Sequence, residues 1–336
     1  MPPFPKAAQA ALCVILCSTT GLAAEPDAQV IGVNHFGHIV GNLDQSFAFY
    51  KDLLQLDVDI APRAFDRNPA IMKMGNTIGA ESRIGVLKVP GAGFGLELIE
   101  YKDINRKPAT LRNQDPGTGN LILMVRDIDA TLARLKKGGA KIVTPGGAAL
   151  DIGNKTRGAF AQDPDGFFVA LVQRDPLPKT TAPETSNVMG GLIAVTAGDT
   201  DQTVHLYRDV LGFKQLMQFP YMGDANRMAM SNTPGAQYRS TVLQITGTQV
   251  SVEFPQFKDI DRKPLHTRLQ DPGTSFLQLE MRNVDDTLKR LKAAGATVVT
   301  VGGEPVDVKI STGAILRNVM VRDPNNLYLE LIQRMK

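Results

Sequence analysis

The sequence predicts an α+β protein made of two copies of one domain, each copy holding two successive units of strand, helix and about three strands. Three observations carry this. Lys102-Asp-Ile-Asn-Arg-Lys-Pro108 returns as Lys258-Asp-Ile-Asp-Arg-Lys-Pro264, and Gln114-Asp-Pro-Gly-Thr118 returns as Gln270-Asp-Pro-Gly-Thr274, each 156 residues later. The offset survives without slippage from Gly138-Gly-Ala-Lys-Ile-Val-Thr144 to Ala294-Gly-Ala-Thr-Val-Val-Thr300. A period this long is a duplicated domain, because solenoid units run to roughly 20–50 residues. Finally, within each copy, apolar alternation of period two gives way twice to helical spacing, which separates strands from helices.

Bulk composition agrees with two domains. The chain has 336 residues, 43% hydrophobic and 21% charged, an ordinary globular balance. Each copy, at roughly 145 residues, is long enough to bury its own core. The net charge of +3, from 37 basic and 34 acidic residues without a basic run, gives no footprint for nucleic acid. The absence of Trp removes the best stacking platform as well.

The first two dozen residues read as an export signal. Lys6 opens it, Ala7 to Leu16 is mostly apolar, and small residues close it near Ala23 or Ala24. The apolar run is short for a membrane span. Residues 1–24 are therefore expected to be removed, leaving a periplasmic or secreted protein with no membrane association. Both cysteines, Cys13 and Cys17, fall inside this segment, so thiolate or disulfide chemistry is not expected afterwards.

Along the mature chain, Val30 to Val40 reads as a strand. Asn42 or Asp44 can cap the next helix, which carries Phe47, Tyr50, Leu53 and Leu54 on one face. Residues 66–79, rich in Asn, Pro and Gly, read as an irregular loop. Ile84 to Val89 and Gly95 to Glu100 read as a hairpin about Pro90-Gly91-Ala92-Gly93. A polar connection leads to a strand over Asn120 to Val125. The helix Asp127 to Lys137 follows and ends at Gly138-Gly139. After a strand start at Lys141 to Thr144, the copy closes with a hairpin turning at Asp163-Pro-Asp-Gly166. The first domain is expected over residues 30–175 and the Pro- and Thr-rich linker over 176–187. The second domain, over 188–336, repeats the order: strand Val188 to Ala197, helix Asp201 to Leu211, paired strands at Ser240 to Ile245 and Gln249 to Phe254, strand Phe276 to Met281, helix Val284 to Ala294. Its closing hairpin turns at Asp323-Pro-Asn-Asn326.

His35-Phe-Gly-His-Ile-Val-Gly-Asn-Leu-Asp44, followed by Ser46 and Phe49-Tyr50, resembles the opening of the vicinal oxygen chelate superfamily. That superfamily holds glyoxalase I, extradiol dioxygenases, fosfomycin- and bleomycin-resistance proteins and methylmalonyl-CoA epimerase. Tyr207-Arg-Asp-Val-Leu-Gly-Phe213 and the Asp163 to Gly166 turn are similar to the family pattern too. The resemblance implies tandem glyoxalase-like domains, with four βαβββ modules forming two open β-barrels.

The resemblance also implies four recurrent metal-ligand places, usually His, Glu, His and Glu. In the first copy these hold His35, Glu97, Asn120 and Ala170; in the second, Leu192, Glu253, Phe276 and Glu330. Two pairings are open. Each copy can close its own barrel, or modules can exchange across the duplication as in glyoxalase-like dimers. Exchange is preferred, since it gathers His35, Glu97 and Glu330 in one barrel. Phe276, Gln278 and Asn120 are expected to line the substrate, although exchange itself would gather Asn120 with Glu253, Ala170 and Leu192. Glu253, Leu192 and Ala170 would mark a degenerate second site.

One imidazole and two carboxylates suit a divalent ion such as Zn, Ni, Mn or Mg with positions left for substrate oxygens. Such an ion polarises a carbonyl and stabilises an enediolate, while Glu330 or Glu97 acts as base. The expected function is therefore an exported metal-dependent lyase or isomerase of glyoxalase type, acting on a small oxygenated molecule. The alternative is a non-catalytic small-molecule-binding protein of the bleomycin-resistance kind, favoured by the apolar residues in ligand places. A ring-cleaving dioxygenase ranks lower, because it needs two His and one carboxylate in one site, and only His35 occupies a ligand place. His38 reads as a packing residue on the opposite strand face, His205 as a helix residue outside the site, and His266 as a loop residue. Arg112 and Arg268 are expected to hold their Gln-Asp-Pro-Gly-Thr turns. Met72, Met74, Met228 and Met230 are expected as apolar lining.

Overall fold

The computed structural model describes residues 29–310 and 313–335. The expected export signal over residues 1–24, with both cysteines, lies outside the described residues.

Four modules follow one another. The first contains β1 (Val30–Ile39), α1 (Leu43–Ala48, prolonged by a π-helical turn over Phe49–Leu53), β2 (Asp57–Ile60), α2 (Pro69–Met74), β3 (Glu81–Lys88) and β4 (Gly95–Lys102). The second contains β5 (Gly119–Val125), α3 (Ile128–Lys137), β6 (Lys141–Ile142), β7 (Leu150–Asp151), β8 (Thr156–Gln162) and β9 (Phe168–Arg174). The third contains β10 (Val188–Val195), α4 (Thr200–Val204, prolonged by a π-helical turn over His205–Val210), β11 (Lys214–Met222), α5 (Ala225–Met230), β12 (Gln237–Gln244) and β13 (Ser251–Lys258). The fourth contains β14 (Ser275–Met281), α6 (Val284–Ala293), β15 (Thr297–Val298), β16 (Val306–Lys309), β17 (Ile315–Arg322) and β18 (Tyr328–Arg334).

Helix starts follow ordinary capping chemistry. The side chains of Asn42, Asp127 and Asn283 accept the backbone N–H three residues on, from Gln45, Ala130 and Asp286, satisfying donors that the first turn leaves free. The same rule corrects the reading of residues 66–79. Asn68 accepts from Ala70 N and Ile71 N, Pro69 sits at the first helical position, and α2 forms. Six residues are too few to show a helical period, but the Asn-Pro start is a legible cap.

The strands assemble into two nine-stranded curled sheets, each an open barrel. One runs β15-β17-β18-β14-β1-β4-β3-β2, with β16 on β17; the other runs β11-β12-β13-β10-β5-β9-β8-β6, with β7 on β8. Modules one and four therefore share a barrel, as do modules two and three. In each barrel the modules meet along an antiparallel seam, with Gly37 opposite Phe276 in one and Ala194 opposite Asn120 in the other.

Between the barrels lies the largest apolar cluster, in which Phe36, Leu98, Leu121, Val169 and Leu277 from the sheets pack with Leu43, Tyr50, Leu132, Tyr207 and Leu288 from the helices. Two polar connections clasp one another beside it. Arg112 donates to both oxygens of Asp115, whose Oδ1 accepts the backbone N–H of Lys263; Arg268 donates to both oxygens of Asp271, whose Oδ1 accepts that of Lys107. The two arginines thus hold their turns, and each turn holds the other copy's connection. Among the described residues no helix is long and apolar enough to cross a membrane.

Candidate active site

Strand alternation sends every second side chain into the barrel of modules one and four. On β1 this is His35; on β4, Glu97, Ile99 and Tyr101; on β14, Phe276 and Gln278; on β18, Tyr328 and Glu330. Ladder pairs place them around one cup. Gly37 is beside Glu97 on one side and Phe276 on the other, Phe276 is beside Tyr328, and Gln278 is beside Glu330. Two glycines make room. A Cβ on Gly37 would lie 2.0 Å from the Phe276 ring, and one on Gly95 would lie 2.8 Å from the His35 ring.

The polar groups in this cup are short of partners. His35 Nδ1 is buried with no hydrogen-bond partner and stands 3.9 Å from Glu97 Oε2. Burial holds the imidazole below its ordinary pKa, against the pull of Asp59 and a hydrogen bond with Gln278. Glu330 accepts from Gln278 Nε2 at 3.0 Å and from Asn318 Nδ2 at 3.2 Å. Burial lifts the Glu97 carboxyl to about 7, with Arg63 opposing. Burial and the neighbouring Glu97 lift Glu330 to about 7 as well. Tyr101 is pushed up by burial and by both carboxylates. Two buried acids lifted together, beside an unpartnered imidazole nitrogen, are a donor set short of a cation. One imidazole and two carboxylates have the donor chemistry of a divalent-ion site, and His35 stands 3.9 Å from Glu97, but the donor atoms of His35, Glu97 and Glu330 do not all lie within 4.8 Å of one another.

The sequence missed Tyr101 and Asn318. Tyr101 was legible, since it continues the alternation from Glu97 through Ile99. Asn318 was not, because only the pairing of β17 with β18 brings it to Glu330. Asn120, expected among the substrate-lining residues, falls where module exchange puts it. It does not line this cup; β5 carries it into the other barrel, where it sits with Glu253 and Ala170. The reason is the module exchange itself, which pairs β5 with β10 and not with β1. Leu192 packs in that second barrel among Ile122, Phe168 and Ala194.

Among the described residues, one trio of His, Asp or Glu has donor atoms all within 4.8 Å of one another: His38, Asp163 and Asp165. It lies between the barrels and its oxygens are already engaged. Asp163 Oδ1 accepts from Asp165 N and Phe167 N, while Oδ2 accepts from the Tyr50 hydroxyl and stands 2.8 Å from His38 Nε2. Asp165 accepts from Gly41 N and the Ser46 hydroxyl. Burial works to lower the His38 pKa, but Asp163 overrides it and the imidazole is raised. The second copy builds the same clasp without histidine. There Asp323 accepts from Tyr207, Asn325 N and Leu327 N, and Asn325 bonds Gly198 N and Thr203, while Val195 takes the place of His38 on the ladder. This trio is a structural clasp. His205 is exposed beside Asp209, and His266 is exposed. Met72, Met74, Met228 and Met230 are buried.

A family model described as the Glyoxalase/Bleomycin resistance protein/Dioxygenase superfamily matches residues 32–171 and again 191–331. A search of curated proteins finds no match. Among solved structures, glyoxalase I from Zea mays is similar with a TM-score of 0.57 at 16% identity, covering 90% of this chain and 92% of that one. A point mutant of that maize enzyme gives 0.59 at 17% identity, with coverage of 90% and 92%. A putative dioxygenase from Bacillus subtilis gives 0.53 at 12% identity, with coverage of 92% and 87%. These likenesses are of fold. With both repeats matched and both open barrels built from paired βαβββ modules, the chain belongs to the glyoxalase/bleomycin resistance protein/dioxygenase superfamily.

Proposed function

We propose that the protein is a divalent-metal-dependent lyase or isomerase acting on a small oxygenated substrate in the barrel of modules one and four. One observation supports it above others: His35, Glu97 and Glu330, from opposite ends of the chain, converge in one cup as an unpartnered imidazole nitrogen and two carboxyls lifted to about 7.

His35, Glu97 and Glu330 would hold the ion. When bound, the ion supplies the positive charge that polarises a substrate carbonyl. The chain's own groups do the rest. A carboxylate in this environment can take a proton from the carbon beside that carbonyl and return it to a neighbouring atom. Glu330 suits the base, since Gln278 and Asn318 fix its orientation. Tyr101, held protonated, can donate a hydrogen bond to a developing oxyanion. Phe276 and Tyr328, both buried, form apolar walls that exclude water.

Metal analysis tests this. After repletion, wild-type protein is expected to retain one equivalent of Zn, Ni, Mn or Mg in this cup, and His35→Ala is expected to lose it. Wild-type protein should also exchange the α-proton of a hydroxyketone or ketoaldehyde with deuterated solvent, followed by NMR. Below one-tenth equivalent of bound metal, the reading fails. The second reading, a binding protein without turnover, draws support from Phe276 in the fourth ligand place; metal uptake without proton exchange would favour it.

A further inference from the structure

The barrel of modules two and three holds a cleft of its own. Matching ladder positions show why. Glu330 beside Gln278 becomes Ala170 beside Ile122, and Phe276 opposite Gly37 becomes Asn120 opposite Ala194. Two larger side chains are replaced by smaller ones, while the room beside Gly158, which stands where β17 has Asn318, is taken by Met230. The result is a cleft of about 70 Å³ that opens to solvent.

Its walls include Ile122, Phe160, Val172, Met230 and Phe257. Two carboxamides project among them. Asn113 and Asn120 are 6% and 2% exposed, and Oδ1 of each is buried with no hydrogen-bond partner. A buried amide oxygen without a donor is costly. The charged side chains of the lining already have hydrogen-bond partners. Arg227 donates to Ile152 O at 2.6 Å and to the Tyr238 hydroxyl. Glu253 accepts from Ser240 at 2.7 Å. Burial holds the Glu253 carboxyl up, toward its neutral form.

We infer that this second barrel is a metal-free binding site for a neutral, one-ring molecule that is apolar apart from a single hydroxyl, which Asn113 and Asn120 receive. The ring fills the volume left by Ala170, and the hydroxyl donates its one proton to Asn120 Oδ1 while its oxygen accepts from Asn113, whose amide turns to present Nδ2. The barrels therefore divide the work, one holding charge and one holding an apolar ligand. This inference is independent of the reaction proposed above.

Titration calorimetry on metal-stripped full-length protein tests it, with p-cresol, toluene and 4-methylbenzoate as probes. One equivalent of p-cresol is expected to bind, with toluene about tenfold weaker for want of the hydroxyl, a difference of about 1.4 kcal/mol. Asn120→Leu should weaken p-cresol tenfold and leave toluene unchanged. Ala170→Phe should abolish both, with melting curves confirming the fold; if that variant fails to fold, Asn113→Leu replaces it with the same expectation as Asn120→Leu. His35→Ala should bind p-cresol like wild type, so failure of the catalytic reading is separable. No p-cresol binding at millimolar concentration, binding indifferent to Asn120→Leu, or 4-methylbenzoate binding tighter than p-cresol would each overturn the inference.

Discussion

At the scale of the residue, the carboxyls of the first barrel tie function to stability. Glu97 and Glu330 hold protons to about 7 in the folded chain, against 4.5 for the ordinary side chain. The folded state therefore binds more protons than the unfolded state between these values, and stability falls as pH rises through that window. Below about 4.5 both states are protonated, and above about 7 neither is, so the loss is complete there. For one such carboxyl the loss is about 3 kcal/mol; the two are coupled, so their effects do not add. Urea denaturation of metal-stripped protein from about pH 4.5 to about pH 8 is expected to show the decline, and Glu330→Gln should flatten it. Added divalent metal should restore the stability lost at the alkaline end. A wild-type curve identical to that of Glu330→Gln would contradict the assignment. The clasp between the barrels makes a contrasting prediction. Because Val195 stands where His38 does, and Asp323 keeps its tyrosine and backbone donors without a histidine, His38→Val should cost less than Asp163→Ala. Asp163→Ala should cost about 3 kcal/mol or more, since it strands the Tyr50 hydroxyl and two backbone N–H groups. Equal losses in chemical denaturation would count against the clasp.

At the scale of the element, β1 shows what tight seams demand. Gly37 leaves the space that the Phe276 ring fills. Gly37→Val is expected to destabilise by about 1–3 kcal/mol through overpacking, and Phe276→Ala in the same chain should relieve most of it; a thermal melt of the two variants decides. The elements were legible in the sequence to differing degrees. β1, α3 and α6 were long enough for their periods to show, and Asp127 and Asn42 announced their helices. α2 was hidden by its brevity. That His35, Glu97 and Glu330, the residues proposed for the site, face one barrel was readable from alternation and the family pattern. Asn318 and Asn113 were not, because each acquires its role from a strand or loop brought beside it only by tertiary pairing. Arg227 was equally silent, since its meaning depends on Tyr238 and Ile152 lying next to it.

At the scale of the whole molecule, neither repeat contains a whole barrel. Each sheet joins one module from each side of the linker. Residues 30–175 or 188–336 expressed alone should therefore fail to form a metal-binding monomer. Mixing the two is expected to restore the ion, because His35 and Glu330 come from different pieces; size-exclusion with metal analysis checks this, and a monomeric, metal-loaded half would refute it. Export belongs to this scale as well. We propose that residues 1–24 are removed on the way to the periplasm or medium, and N-terminal sequencing of the mature protein should begin near Glu25.

The nesting of the two barrels has a bearing on synthesis. Modules two and three are contiguous, so their barrel can close while the last module is still within the ribosome. The cup that holds His35 joins β1 to β14 and β18, and must wait for the final strand. Loop-closure cost grows with the span enclosed, and a prefolded centre shortens that span by holding the two ends near each other. Variants that unfold the barrel of modules two and three are therefore expected to lower the yield of the outer one as well.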